Sequence, residues 1–570
     1  MQPTTTPPPR SSALHRYGPI IAIVGVIAVI ALIVVATKGG DDKAASGGAA
    51  TTTVPTASRP GVLSFSQAKA EGKEGSIDWG DRCDTTIGQL KYPSFFAGEC
   101  YAPFTGDNGG ATATGVTSDS IKVVFYQAQQ TDPILNYITQ AVKVDDTNAQ
   151  TAQTMQDWMT FYDRYYETYG RKIELVPFTA TGTATDEVAA RADANTIAQD
   201  IKPFAVWGGP ILTPTFGDEL AARGVLCISC GPGSSYDYFT KRAPYLWGLG
   251  MLPEQGQTHV VEYLSKELAN GNAEHASDPA MQAKKRTFGL IYISTSDQDE
   301  KVTDRFEANL TAAGVPLAAR LAYKSPTDLQ NDAPGLIAKL KDAGVTSVLF
   351  AGDPIAPQPL TRAATAQEYF PEWIITGSAL TDTAAFARTY DQKQWAHAFG
   401  VSFGAARSDP ETTGSKFLYR WFFGKDAPAS TAATTAVINP ALFFPVIQGM
   451  GPDVSAQNFQ DTVFAANATT HAITQPSLSY GNKGIWPQSD YSGVDDATEI
   501  WWDPAASGPD EIQRQGQGLY QYVHGGQRYF PGEWPSQPTR AFDSTGAVSI
   551  YTTPPASEQA PTYPSPAAGN

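Results

Sequence analysis

The stretch FGLIYISTSDQDEKVTDRFEANLTAAGVPLAARLAYKSPTDLQNDAPGLIAKLKDAGVTSVLFAGD, from Phe288 to Asp353, decides the fold. It opens on an apolar run, FGLIYIS (288–294), continues through an amphipathic stretch, DEKVTDRFEANLTAAG (299–314), that stops on Gly314, and closes on a second apolar run, SVLFAGD (347–353). Apolar runs of this length with little alternation predict strands covered on both faces, and a glycine ending a periodic stretch predicts a helix stop. Strand, helix, strand in that order implies a parallel sheet with right-handed crossovers.

The same grammar extends in both directions. IKVVFYQ (121–127), KIELVPF (172–178), FAVWGG (204–209), VLCIS (225–229) and WIITG (373–377) read as further strands, and TMQDWMTFYDRYYETYG (154–170) as a helix stopped by Gly170. So many strands suit two parallel α/β sheets, and 570 residues are enough for two or three domains with their own cores. Parallel sheets bind ligands beyond the carboxyl ends of their strands. Here those ends are small, polar or glycine-rich: YQAQQTDP, WGGPILTP, CGPGSS, STSDQD and AGDP. Such residues let backbone and hydroxyls approach a ligand, and they equally serve to turn the chain.

A net charge of −17 excludes a phosphate-neutralising partner, so no nucleic acid is expected. Near the amino terminus, IIAIVGVIAVIALIVVA (Ile20 to Ala36) is an unbroken apolar run behind Arg10 and Arg16, with no acidic residue before Asp41. Its length predicts an uncleaved signal anchor, with residues 1–17 cytoplasmic, 18–37 in the bilayer and the remainder extracytoplasmic. A cleaved signal peptide is the alternative. Residues 38–60 read as a flexible tether and 552–570 (TTPPASEQAPTYPSPAAGN) as a disordered tail, since neither has much to bury. Between them and the strands lies a turn-rich extension, residues 61–116, carrying Cys83 and Cys100.

Cys83, Cys100, Cys227 and Cys230 are an even set on the oxidising side, which fits two disulfides without fixing their connectivity. Cys227 and Cys230 stand in GVLCISCGPGSSYDYF (224–239). Were the strand extended through both, their Cα atoms would be roughly 10 Å apart, beyond a disulfide's reach. A bridge therefore requires a turn at Ile228-Ser229; unbridged thiols and a redox pair are the other readings.

Enzyme signatures are missing. There is no GxxxxGK[ST], HExxH or GxSxG, and the six histidines have no ligand spacing. We expect no covalent chemistry, no metal and no cofactor.

GVLCISCGPGSS followed by APYLWGLGMLPEQGQTHVVEYLSKEL, and then the 288–353 stretch with Thr327-Asp328 ahead of KLKDAG, resembles the type 1 periplasmic binding proteins of the leucine/isoleucine/valine type. The resemblance covers residues 117–410 and continues more weakly to about 530. It implies an α/β fold of two lobes, with parallel sheets flanked by helices, joined by three crossings and closing like a hinge. It divides the chain into lobe 1 (117–249), lobe 2 (250–377), a return to lobe 1 (378–480) and a return to lobe 2 with an extension (481–551). The implied ligand contacts are Pro210, Leu212, Thr213, Ser229, Ser234 and Ser235 in lobe 1 and Ser294, Thr295 and Asp353 in lobe 2. Tyr126, Gln127, Gln129 and Trp207 would be walls, with core packing the alternative for both aromatics and a helix cap the alternative for Asp353. Leu252-Pro253-Glu254 stands where many relatives place an Asp, and a frequent Tyr is missing from SDQDEKV. The implied ligand is therefore a small polar or amphipathic solute. Its partners would be an ABC permease and a separate ATPase, or, as an alternative use of the fold, a receptor's signalling partner.

Overall fold

The computed structural model describes Arg59 and residues 61–133, 136, 144–210, 212–231, 233–294, 297–324, 329–469 and 472–569. The expected signal anchor, most of the tether, Thr295, Thr327 and Asp328 lie outside the described residues.

Lobe 1 is built on five parallel strands, β1 (Ser120–Gln127), β2 (Lys172–Thr179), β3 (Ala205–Trp207), β4 (Leu226–Ile228) and β5 (Leu246–Trp247), in the order β2-β1-β3-β4-β5. Val123, Val124 and Phe125 are buried consecutively, so both faces of β1 are covered, as the continuous apolar run predicts. Lobe 2 repeats the same parallel order with β6 (Phe288–Ile293), β7 (Leu317–Tyr323), β8 (Ser347–Ala351), β9 (Glu372–Thr376) and β10 (Ala398–Ser402), arranged β7-β6-β8-β9-β10. It then adds three antiparallel strands: β11 (Ala497–Pro509) on β10, and β12 (Gln515–Tyr522) and β13 (Arg528–Tyr529) on β11. All seven runs read as strands from the sequence are strands. EIWWDP and GGQRYFPGEWP contribute to β11 and β13, completing lobe 2.

The boundary at 377 moves. β10 pairs with β9 in parallel, Ile374 opposite Phe399 and Thr376 opposite Val401, so lobe 2 runs on to Ser402 before the chain returns. The run AFGVS depends on Gly400, whose φ is +145° and whose Cβ, if present, would lie 2.2 Å from the Ile375 carbonyl oxygen. Back in lobe 1, the helices Gly414–Phe423, Ile438–Met450 and Ala456–Ala465 complete its core. Ala432–Met450 is the one helix among the described residues long and apolar enough to cross a membrane, but it is largely buried against lobe 1, where Phe443 meets Trp207.

The tail is also corrected. Residues 552–569 pack against the protein: Trp421 Nε1 donates to the Tyr563 carbonyl, Tyr563 OH donates to Asp84, and buried Glu558 accepts from the Ile473 and Thr474 amides. A proline-rich extended segment has no core of its own, yet it is ordered here by lying on one.

Candidate functional site

Both disulfides form, Cys83–Cys100 and Cys227–Cys230. The second has a Cα separation of 5.8 Å, which β4 reaches by turning at Ser229, whose φ of +66° is left-handed. Cys227 and Cys230 are 0% and 2% exposed, so an attacking thiolate has no approach to either sulfur. The turn directs Ser229 Oγ to Asn439 Oδ1 at 2.8 Å, joining the loop to the helix returning from lobe 2. Asn439 was not singled out from the sequence, although an amide in the otherwise apolar turn that opens INPALFFPVIQGM was the available signal.

The other lobe 1 loops end in local hydrogen bonds. Gln127 Nε2 donates to the Asn148 carbonyl and Asn148 Nδ2 donates to the Ala128 carbonyl, both at 2.9 Å, which pins the β1 loop to the next helix. Thr213 Oγ1 accepts from the Thr215 amide, and Ser235 Oγ accepts from the Tyr238 amide as the N-cap of Tyr236–Thr240. Pro210 is buried. Gln129 and Ser234 are part-exposed, and their side chains hold no hydrogen bond among the described residues, so of the expected contacts these two are free.

Two wall residues belong to the core. Trp207 is fully buried in the middle of the sheet under Phe443. Tyr126 packs on Phe178 and Phe216 and donates to Asp193 Oδ2 at 3.0 Å.

In lobe 2, Ser294 Oγ donates to Glu300, which also accepts from Tyr292 OH and Arg320 Nη2. Asp353 is not the cap of the helix Pro357–Ala366, whose N-cap position is Ala356; it holds the turn just ahead of that helix. Its Oδ1 accepts from the Ile355 and Ala356 amides at 2.9 and 3.0 Å, and its Oδ2 accepts from Tyr323 OH. Burial raises its pKa, opposed by those hydrogen bonds. Beyond β9, Gly377, Ala379 and Leu380 are all left-handed, and Ser378 Oγ accepts from the Gly352 amide while donating to the Phe350 carbonyl. Two non-glycine residues held in this region cost of order 1–3 kcal/mol each, a strain that clusters at ligand clamps and switch segments.

The lobes touch through these loop ends. Val144, Ala184 and Leu212, which follow β1, β2 and β3, pack with the lobe 2 apolar cluster that includes Tyr323, Ile355 and Leu380. Loops at the carboxyl ends of the two sheets therefore meet in apolar contacts.

Behind these contacts lie the crossings between the lobes. The first crossing, around Gly248 and Gly250, runs beside the third, around Tyr491 to Val494: the Gly248 amide donates to the Tyr491 carbonyl at 2.7 Å and the Val494 amide to the Gly250 carbonyl at 3.3 Å. Arg528, fully buried, donates to Asp496 of the third crossing and to the Phe403 and Gly404 carbonyls of the second. Gln255 Nε2 donates to Asp490 Oδ2 at 2.6 Å, and Asp495 accepts from Ser479 Oγ and Trp486 Nε1. Burial, with the Asp495 charge next, pushes Asp490 up to about 8, and burial pushes Asp495 to about 7. Trp534 Nε1 donates to His259 Nδ1, and since an indole only donates, His259 is the tautomer whose Nε2–H donates to the Asp495 carbonyl. Burial holds its pKa down to about 4.

The fold and these crossings define a two-lobed α/β protein whose parallel sheets, flanked by helices, bring the loops at their carboxyl ends together. No protein-family model matches the chain, and no curated protein matches it. Among solved structures, it is similar to a fatty acid ABC transporter substrate-binding protein from Thermomonospora curvata (15% identity, 75% of this chain and 97% of that one, TM-score 0.49). It is similar also to a solute binding protein of an ABC transporter from Rhodopseudomonas palustris BisB5 in complex with 3,4-dihydroxy benzoic acid (12% identity, 72% and 98%, TM-score 0.49). A third is the branched-chain amino acid transporter substrate binding protein LivJ from Streptococcus pneumoniae in complex with isoleucine (13% identity, 71% and 100%, TM-score 0.46). These neighbours are of the kind the sequence resembles, the type 1 periplasmic binding proteins.

Proposed function

We propose that the chain is an extracytoplasmic solute-binding protein, held at the membrane by its apolar amino-terminal run, that captures a small amphipathic solute between its lobes for an ABC permease powered by a separate ATPase. The observation that carries this reading is the pair of equally ordered parallel sheets whose carboxyl-end loops meet across a three-crossing hinge. A solute touching both lobes stabilises the closed arrangement by its differential affinity, with no covalent step. Val144, Ala184 and Leu212 suit the apolar part of the solute, and Gln129 and Ser234 suit its polar part.

Thermal-shift screening of the purified protein tests the reading, using amino acids, amides, short acids, hydroxybenzoates and fatty acids. A solute present at 100 times its Kd adds about 2.7 kcal/mol and raises Tm. Gln129→Ala with Ser234→Ala is expected to weaken that solute at least tenfold. A panel without any shift speaks against solute capture, and unchanged affinity in the double variant removes these two residues from the site.

A further inference from the structure

The corrected tail touches more of the molecule than its composition suggests. It starts on lobe 2, where the Tyr522 amide of β12 donates to the Val548 carbonyl at 2.8 Å. Ile550 and Tyr551 then pair in parallel with Arg407 and Ser408 of the second crossing, and the Asp409 amide donates to the Tyr551 carbonyl at 2.8 Å. Tyr551 OH donates to the Gly525 carbonyl at 2.7 Å, still on lobe 2. Eight residues after Ile550 the chain meets the approach to the third crossing, where Glu558 accepts from the Ile473 amide at 2.7 Å, the Thr474 amide at 3.0 Å and the Thr474 hydroxyl. It ends on lobe 1: Trp421 of the helix Gly414–Phe423 donates to the Tyr563 carbonyl at 3.0 Å, Ser565 Oγ donates to the Trp421 carbonyl, and Tyr563 OH donates to Asp84 Oδ2 at 2.9 Å. Asp84 adjoins Cys83, whose disulfide fixes the extension against the lobe 1 core.

We propose that residues 550–567 act as a strap across the hinge, a fourth tie between the lobes that limits how far they part. The three covalent crossings define where the lobes can pivot. A segment fastened on lobe 2 at one end, on the approach to the third crossing at its middle and on lobe 1 at the other must release an end or move with the hinge when the lobes separate. Its composition fits that work. Proline-rich chain is stiff and extended, so it transmits displacement instead of absorbing it as a coil does. The fastenings are few and individually modest, at about 0.5–1.5 kcal/mol per neutral hydrogen bond and more where the Glu558 carboxylate accepts. A strap so held can come off without unfolding either lobe.

The inference uses the two-lobed hinge of the proposed function but not its ligand, so the test reads interlobe distance directly. The four native cysteines are all in disulfides, and Glu187→Cys on lobe 1 with Asp342→Cys on lobe 2, both exposed positions, supply the only free thiols for spin labels. The full chain is expected to give one narrow distance distribution. Deletion of residues 560–570, which removes only the lobe 1 fastening, is expected to broaden it and shift it outward by several ångströms; Glu558→Gln is expected to do so in part. If the shortened chain does not fold, Glu558→Gln and Tyr563→Phe decide. Distributions identical to the parent in the variants that fold overturn the strap. A solute found by thermal shift but no change in distance would defeat the strap alone; a changed distance with no solute found would defeat solute capture alone.

Discussion

The two lobes share a parallel strand order yet are finished by different means. Lobe 1 stops at the two-residue edge strand β5 and is closed by helices that arrive after the chain has visited lobe 2. Lobe 2 carries its sheet past the parallel half with antiparallel β11 and β12, and it anchors the amino-terminal end of the sheet with a buried ion pair. There Arg286 donates bidentately to Glu372 at 2.9 and 3.0 Å, Ser347 Oγ adds a hydrogen bond at 2.6 Å, and the His275 amide adds another. Lobe 1 depends on aromatic packing in the corresponding interior, through Trp158, Trp207 and Phe443. Lobe 1 buries a charge too, Arg171 just ahead of β2, which donates to the Thr117, Pro452, Asn108 and Gly110 carbonyls, so the two copies differ in whether backbone or a carboxylate satisfies the buried arginine, and each copy is finished by chain returning from elsewhere.

The largest effect that would break this comparison comes from the ion pair. Glu372→Ala leaves Arg286, whose side chain is 1% exposed, as an uncompensated buried charge, and costs about 3–5 kcal/mol. Hydrogen exchange should show β8 and β9 losing protection while β1 and β3 keep theirs. Equal losses in both lobes would mean that they unfold as one unit.

A smaller effect belongs to the hinge they share. Asp490 and Asp495 have folded pKa values raised to about 8 and about 7, above the ordinary carboxylate value, so folding favours their protonated forms. The stability they contribute is full below the unfolded value near 4, declines as pH rises and is gone above about 8. Asp490→Asn, which mimics the neutral acid, should flatten the fall in Tm between pH 6 and pH 9 by a few degrees, at roughly 2–8 °C per kcal/mol. An unchanged slope in that variant would locate the pH dependence elsewhere.

The smallest effect probes the Ser229 turn. Ser229→Ala removes the hydrogen bond to Asn439 and costs about 1 kcal/mol, whereas Ser229→Gly also relieves the left-handed backbone and should recover part of that loss. Chemical denaturation of both variants separates the two contributions.

Much of the architecture was legible because fully covered strands must be continuously apolar, which is how 121–127, 288–294 and 347–353 declared themselves, whereas 172–178, at the sheet edge, alternates buried and exposed residues and showed through its β-branched and aromatic content. β7 did not, because LAARLAY lies at the sheet edge and alternates partly exposed residues around Arg320. β10 did not, because its key residue is a glycine whose necessity comes from Ile375, a neighbour in space. The turn between Cys227 and Cys230 was legible only as the condition of a bridge, and the disulfide with its left-handed Ser229 meets that condition. The fates of Ser235 and Asp353 were not legible, since a residue that caps a helix or holds a turn and one that meets a ligand share the same chemistry and the same position after a strand. The tail was misread for a related reason: low apolar content forbids a private core, and says nothing about leaning on another.

The Ser229–Asn439 hydrogen bond spans 210 residues. During synthesis at about 5–20 residues per second, the loop after β4 leaves the ribosome roughly 10–40 s before its partner exists. Trp207, waiting under the same helix, is left for that interval without the cover it later has. The nascent half-lobe is thus left incomplete for that interval, and the helix Ile438–Met450 is the event that ends it.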